Sequence, residues 1–255
     1  MWVEFWQKFI TQIAEIAPVY LVGGTVRDSL LQKPSKDVDG IVALPLEILE
    51  KHIKKWGYHP LRIGAKHQTL TVFHQGERID FNPFSGSLEE DALRRDFTIN
   101  AIYQNGKTGE IIDPLGGRED LEKKILRACG DPYERFREDP LRILRMVRFS
   151  CKYNLTIEEN TLSAAKEFLP KISSVALERI SEELGTILIL ENPRSALTLL
   201  MEIGYLDMYL PELANLQNCM ARPGYNEDLW EHTLKVVENT PPEYLLRLAG
   251  LFHHL

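Results

Sequence analysis

The spacing of hydrophobic residues changes along the chain and divides it into two parts. Short runs rich in β-branched residues predict strands, and they occupy residues 19–24, 37–44, 68–74 and 77–84. Helical spacing at 25–31 and 45–56 separates the first of these strands, and Gln75-Gly76 predicts a hairpin turn between the last two. We therefore expect an α/β architecture over about the first 115 residues.

From about residue 120 onward, apolar residues recur at three- and four-residue spacing, which is typical of amphipathic helices. The segments at 141–153 and 176–190 are clear examples. This pattern predicts an all-helical second part. The final segment, YLLRLAGLFHHL, has no capping residue at its end, so we expect the natural protein to continue beyond it.

Composition excludes several classes of protein. The 255 residues are 44% hydrophobic and 26% charged, as in an ordinary globular protein, and no apolar stretch is long enough to cross a membrane. Three cysteines (Cys129, Cys151 and Cys219) are widely spaced and odd in number, which argues against a disulfide framework and a zinc knuckle. We expect a soluble cytoplasmic protein with no membrane partner.

The charge of the chain argues weakly against a dedicated nucleic-acid binder, because its net charge is −7. However, residues 118–152 contain ten Lys and Arg against seven Asp and Glu, a local balance of +3. A local phosphate-binding site is therefore compatible with the sequence.

Two glycines stand between a predicted strand and a predicted helix. Backbone N–H groups of Gly23 and Gly24, with the positive end of the helix, can face an anion, and Arg27 could add a charge. A plain tight turn is the alternative interpretation.

Carboxylates form a second candidate group. Asp37 and Asp39 are two positions apart in a strand and point to the same face, which is costly unless they are solvated or neutralised by a divalent cation such as Mg²⁺. A solvated pair in a loop is the alternative. Asp80 is either a third member or an exposed residue of an edge strand.

Arginines form the third candidate group. Arg94 and Arg95 precede Asp96, and this pairing could be purely structural, as could the turn at 113–117. Asp139 before Pro140 predicts a helix N-cap. Arginines recur every three residues at 142, 145 and 148, and the stripe that they form requires an anion opposite it.

Taken together, these motifs resemble a known family. LVGGTVRD, DVD, RRDFTINA, DPLGG and RFREDPLRILRMVRF occur in the order and spacing of class II tRNA nucleotidyltransferases and bacterial poly(A) polymerases, within the polymerase-β superfamily. The resemblance implies an α+β fold: a polymerase-β-type head with a mixed sheet and flanking helices at 1–119, an all-helical neck at 120–190, and the start of a helical body at 191–255.

The resemblance also implies roles for individual residues. Asp37 and Asp39 would hold two Mg²⁺ ions, and Asp80 would be a third catalytic carboxylate. Asp139 and Arg142 would act as a protein template that pairs with the base of CTP. The nucleotide-binding residues that it implies are Gly23, Gly24, Arg27, Arg94, Arg95, Asp139, Arg142, Arg145 and Arg148. The implied reaction adds nucleotides to the 3′ end of tRNA without a nucleic-acid template, and no protein partner is implied.

One departure from the family concerns the substrate. Complete CCA-adding members carry a flexible loop between the third-carboxylate strand and RRDFT, whereas this chain runs from IDFNPFSG almost directly into SLEEDALRRDFT. The short junction resembles CC-adding enzymes, so we expect addition of two cytidines from CTP. The alternatives are a complete CCA-adding or A-adding enzyme that also uses ATP, a poly(A) polymerase, and a non-catalytic RNA-binding or HD-type module.

A second departure concerns three histidines. His232, His253 and His254 resemble part of the metal-binding pattern of the HD phosphohydrolase domain found in some relatives, but the HD pair is replaced by two histidines. We expect no hydrolase site, and we expect these histidines to pack between helices.

Overall fold

The computed structural model describes residues 4–33, 37–63, 69–219 and 228–255. The chain forms two compact units, Met1–Glu122 and Lys123–Leu255. In the described segments, no helix has the length and apolar character needed to cross a membrane.

The first unit is built on a seven-stranded mixed sheet, in the order β3-β4-β5-β2-β1-β6-β7. The strands are β1 Val19–Val22, β2 Asp37–Val42, β3 Leu61–Ile63, β4 Thr69–His74, β5 Glu77–Pro83, β6 Tyr103–Asn105 and β7 Ile111–Ile112. Strands β2 and β5 are parallel, and the other neighbours are antiparallel. The helices are α1 Glu4–Ala14, α2 Gly24–Leu30, α3 Leu46–Lys55, α4 Leu88–Leu93 and α5 Gly117–Glu122.

The two faces of β5 show why this sheet can carry a polar site. Ile79 and Phe81 are fully buried, whereas Asp80 between them points to the other face and is partly accessible. Helix α1 covers the apolar face, since the ring of Phe9 lies 6.3 Å from that of Phe81. The opposite face is therefore left for the carboxylate.

The second unit is mainly helical. Its helices are α6 Pro132–Glu138, α7 Arg142–Tyr153, α8 Glu159–Phe168, α9 Leu177–Leu188, α10 Pro193–Glu202, α11 Tyr205–Tyr209, α12 Pro211–Ala214, α13 Leu229–Asn239 and α14 Tyr244–Phe252. The expectation of helices alone was wrong in one detail. Two-residue strands, β8 Ile125–Leu126 and β9 Thr156–Ile157, pair in parallel, and they are too short to leave a periodic signal in the sequence.

The turn at 113–117 connects β7 to α5 within the first unit and caps the start of that helix. The carboxylate of Asp113 accepts the N–H groups of Gly117 (2.8 Å) and Arg118 (2.9 Å), which satisfies two donors at the start of the helix. Gly117 is required at this point, because a Cβ there would lie 2.2 Å from the carbonyl oxygen of Thr98.

We expect Gly117→Ala to destabilise the first unit by about 1–3 kcal/mol, because backbone must shift to admit the methyl group. Denaturant unfolding followed by circular dichroism measures this loss. Gly116→Ala is the matched control: it has a left-handed φ of 73° but open space around its Cβ position, so a smaller loss is expected. Equal losses in the two variants would contradict the steric explanation.

Candidate functional site

The Gly23-Gly24 turn lies against one of the predicted carboxylates. Strand β1 ends at Val22, Gly23 adopts a left-handed φ of 70°, and α2 begins at Gly24. A Cβ on Gly23 would lie 3.6 Å from Oδ2 of Asp39, and the Asp39 N–H donates to Oγ1 of Thr25 (2.9 Å). The turn and the carboxylate therefore form one local structure.

Parallel pairing of β2 and β5 places two carboxylates side by side. Asp39 is directly opposite Asp80 in the register, and Thr71 on the next strand donates to Oδ1 of Asp80 (2.6 Å). Strand β5 is an internal strand, so the interpretation of Asp80 as an edge-strand residue was wrong. Asp37 begins β2, but its side chain lies outside the described part of the structure.

The chemistry of this pair fits a divalent cation. Neighbouring carboxylates repel one another unless positive charge offsets the repulsion, and Nε of Arg78 lies 3.4 Å from Oδ2 of Asp80. Carboxylate oxygens are the ligands that Mg²⁺ prefers. Asp39 and Asp80 could hold such an ion, and the role of Asp37 as a ligand stays a prediction.

Arg27 lies inside the first unit and links α2 to the segment after α4. Its side chain is buried, its Nε donates to Asp28 (2.9 Å), and its Nη1 donates to Oδ1 of Asn100. Asn100 in turn donates to Asp96 (2.9 Å). These contacts tie the helix that follows the Gly23-Gly24 turn to the segment around Asn100. Contact of Arg27 with a triphosphate stays a prediction.

Arg94 and Arg95 are in different surroundings. Arg94 is 63% exposed and lies 3.6 Å from Asp91. Arg95 is 23% exposed, and its Nε donates to Asp91 (2.9 Å) and to the hydroxyl of Tyr103 (3.1 Å). Burial opposes the charge of Arg95, but Tyr103 and Asp91 outweigh this effect, and the pKa of the guanidinium is raised. Asp91 and Tyr103 were not predicted from the sequence, although Asp91 and Arg95 have the i,i+4 spacing of a helical ion pair.

Asp139 occupies a turn between two helices. It ends α6, and α7 begins only at Arg142, so the predicted N-cap at Asp139 was wrong. Its carboxylate accepts the N–H of Leu141 (3.2 Å) and pairs with Arg179 on α9, at 2.7 Å from Nη2. With Asp139 as the N-cap, Pro140 would be the first residue of the helix, but it lies between α6 and α7 instead. Arg179 was also missed, because its pairing with Asp139 joins residues 40 positions apart.

The anions that the arginine stripe requires are partly supplied by the second unit itself. Arg142 pairs with Glu138 (3.0 Å) and Arg148 pairs with Glu183 on α9. Arg145 lies over the ring of Phe149, 5.3 Å from its centre. Asp139 and Arg179 line a cleft of about 380 Å³ with Phe168 and Lys171. The roles of the stripe in nucleotide binding stay predictions.

The three histidines come together at the end of α14. Their ligand atoms lie within 4.8 Å of one another, and His253 and His254 are exposed, so the expectation that they pack between helices was wrong. Desolvation, together with the nearby His253 and His232, lowers the pKa of His254.

Comparison with known proteins agrees with the order of the motifs. Residues 19–86 and 80–127 match the family described as "Poly A polymerase head domain", and residues 154–217 match "Probable RNA and SrmB- binding site of polymerase A". The first match is broken into two segments that overlap at residues 80–86.

Individual relatives are named CCA-adding enzymes. One, from Geobacillus thermodenitrificans, is 36% identical over 251 residues, covering 87% of this chain and 60% of the relative; another, from Enterococcus faecalis, is 39% identical over 201 residues, covering 72% and 48%. A crystal structure of the Bacillus stearothermophilus CCA-adding enzyme in complex with CTP is similar with a TM-score of 0.75 and 33% identity, covering 95% of this chain and 59% of that one.

The fold and the motifs define a polymerase head domain followed by helices. The chain belongs to the family of poly(A) polymerases and CCA-adding tRNA nucleotidyltransferases. It spans about half to three fifths of the length of the curated relatives described above.

Proposed function

We propose that the protein adds cytidines from CTP to the 3′ end of tRNA without a nucleic-acid template. The observation that carries this proposal is the Asp39–Asp80 pair, which lies beside the Gly23 turn in a head domain of this family. The primer 3′-hydroxyl forms a bond to the α-phosphorus of CTP, the bond to the β-phosphate oxygen breaks, and pyrophosphate and a proton leave.

Each part of the site has a task in this reaction. Asp39 and Asp80, with Asp37, would hold Mg²⁺, which when bound activates the hydroxyl and stabilises the leaving pyrophosphate. The Gly23 turn brings the backbone of the chain close to the Asp39 carboxylate, because glycine has no side chain to separate them.

Asp139 and Arg142 would select the base. Cytosine presents an N4 amino donor together with N3 and O2 acceptors. A carboxylate accepts the first and a guanidinium donates to the others, so one acid and one arginine can pair with cytosine as a complementary base does. The ion pair between Arg179 and Asp139 supports this role, because it holds the carboxylate in a defined orientation.

The short junction after β5 supports the addition of two cytidines without adenosine. Strand β5 ends at Pro83, and α4 begins at Leu88 with a capping box in which Ser87 and Glu90 satisfy each other's backbone N–H groups. Four residues therefore connect the carboxylate strand to the helix that precedes Arg95. The family match breaks at the same place. A connection this short leaves little chain with which to reshape a pocket for ATP.

We expect product length to stop after two cytidines. The test is a single-turnover assay with tRNAs that lack the whole terminal CCA, that retain one cytidine, or that retain two, each offered CTP, ATP or both and resolved at one nucleotide. Addition that halts at two cytidines even with ATP present supports the proposal. Efficient transfer of adenosine to the tRNA that retains two cytidines would contradict it.

Complete CCA addition is the second candidate, because the relatives carry that name. The same assay identifies it as an ordered addition of two cytidines and one adenosine. Long adenosine tails on unrelated RNA would instead indicate a poly(A) polymerase, and the lack of any Mg²⁺-dependent transfer by a folded protein that binds tRNA would indicate a non-catalytic RNA-binding module.

A further inference from the structure

The hydroxyl of Tyr103 connects two charged groups beside the candidate site. It accepts the Nε–H of Arg95 (3.1 Å) and donates to Oδ2 of Asp91 (2.8 Å). Asp91 also contacts Nη2 of Arg95 at 2.9 Å. The hydroxyl thus completes a ring of three polar groups in which each member contacts the other two.

Tyr103 is built into the sheet and cannot move independently of it. It is fully buried, and in the register of the sheet it lies opposite Val22 of β1 and Ile112 of β7. Burial raises the pKa of its hydroxyl above the ordinary value, so the group stays a neutral donor. Asp91, by contrast, is held by a six-residue helix. The rigid member of the ring is therefore the tyrosine.

The register also relates Tyr103 to the carboxylates. Leu21 pairs with Gly40, so the next positions bring Val22 beside Asp39, which pairs with Asp80. Residues paired across neighbouring strands point to the same face. Tyr103 and Asp39 therefore share a face and are separated by two strand spacings, or about 10 Å.

The ring leaves one edge of Arg95 open to a ligand. Asp91 and Tyr103 occupy the Nε and Nη2 groups, whereas Nη1 makes no hydrogen bond to any residue in the described segments. The side chain remains 23% exposed. An arginine fixed on one edge and open on the other presents its donors in one orientation.

We propose that Tyr103 is a positioning residue that holds Arg95 in the orientation in which it binds a phosphate or ribose oxygen of the incoming nucleotide. This inference rests on the proposed function. Tyr103 itself touches no substrate and acts through Arg95, directly at the Nε–H and through the hydrogen bond that its hydroxyl donates to Asp91.

A double-mutant cycle on CTP binding tests the proposal. Tyr103→Phe removes only the hydroxyl, and Arg95→Lys keeps the charge but removes the Nε–H that the hydroxyl accepts. We expect Tyr103→Phe to weaken CTP binding and raise its KM roughly five- to tenfold, with kcat changed by less than about twofold. In the Arg95→Lys background the same substitution should have almost no further effect.

Tyr209→Phe is the matched control, because it removes a tyrosine hydroxyl whose hydrogen-bond partners among the described residues are Leu169, Pro170 and Ser173 of the second unit. It should leave the Kd for CTP unchanged. A second readout, the water exchange of the Arg95 Nε–H followed by ¹⁵N NMR, should become faster in Tyr103→Phe. This readout requires no substrate.

The outcomes separate this inference from the proposed function. An unchanged Kd and an unchanged Nε–H exchange in Tyr103→Phe would overturn the inference, as would an equal loss of CTP binding in both backgrounds, which indicates general destabilisation. CTP binding without any transfer by the wild type would overturn the proposed function, but the double-mutant cycle on CTP binding could still be measured. Failure of the wild type to bind CTP would overturn both.

Discussion

Replacing Asp39 with alanine is expected to reduce CMP transfer at least about a thousandfold, which corresponds to about 4 kcal/mol of transition-state stabilisation. The variant removes one of two carboxylates that lie side by side on β2 and β5. Divalent cations typically contribute several kcal/mol to such transfers. Because the substitution also relieves repulsion from Asp80, the unfolding midpoint measured without divalent cations should stay the same or rise.

Activity and stability are measured on the same preparation, by single-turnover transfer from CTP in Mg²⁺ and by denaturant unfolding. Asp207→Ala, which removes an exposed acid in the first turn of α11, is the control and should change neither. Wild-type turnover by a folded Asp39→Ala protein would contradict the assignment. If the alanine variant fails to fold, Asp39→Asn preserves the side-chain volume and provides the same test.

Replacing Asp139 with alanine is expected to reduce the preference for CTP over UTP about ten- to a hundredfold, or about 1–3 kcal/mol. Uracil presents a carbonyl where cytosine presents its amino group, and only the cytosine donor suits a carboxylate acceptor. Asp139 would contact the base and not the phosphates, so the apparent affinity for the triphosphate should change less than the selectivity.

Single-turnover rates with CTP and UTP on one primer provide the measurement. Arg179→Ala is an informative companion, because it removes the partner of the Asp139 carboxylate and leaves the carboxylate itself. It should relax selectivity partially. An unchanged ratio of CTP to UTP in folded Asp139→Ala would indicate that Asp139 serves only the turn before α7.

The sequence predicts the long elements of this fold well because their periodicity is strong. Strands β1, β2, β4 and β5 and the hairpin at Gln75-Gly76 were all predicted to within a few residues. Strands β3, β6 and β7 were not, since two or three residues cannot display an alternating pattern. Their pairing depends on neighbours that the rest of the sheet provides.

The candidate site was predictable only where one motif contains the whole signal. Gly23 and Asp39 are each recognisable from local sequence, and the structure brings them together. The pairing of Asp139 with Arg179 is a different case, because it joins separate helices through their packing. Burial of Arg27 is likewise a tertiary effect, since nothing in its local sequence distinguishes a buried arginine from an exposed one.

Parallel pairing of β2 with β5 has a consequence for the order in which the first unit forms. The β4–β5 hairpin closes over two residues, whereas the β2–β5 ladder joins Asp39 to Asp80, which are 41 positions apart in the sequence. Contacts between distant residues cost more loop-closure entropy than local contacts do. The carboxylate pair therefore exists only after β2 and β5 have paired, and a cation that requires both groups binds only states of the chain in which this ladder is formed. By mass action such an ion favours the native state. The carboxylates proposed for catalysis would therefore also couple cation binding to the stability of the first unit.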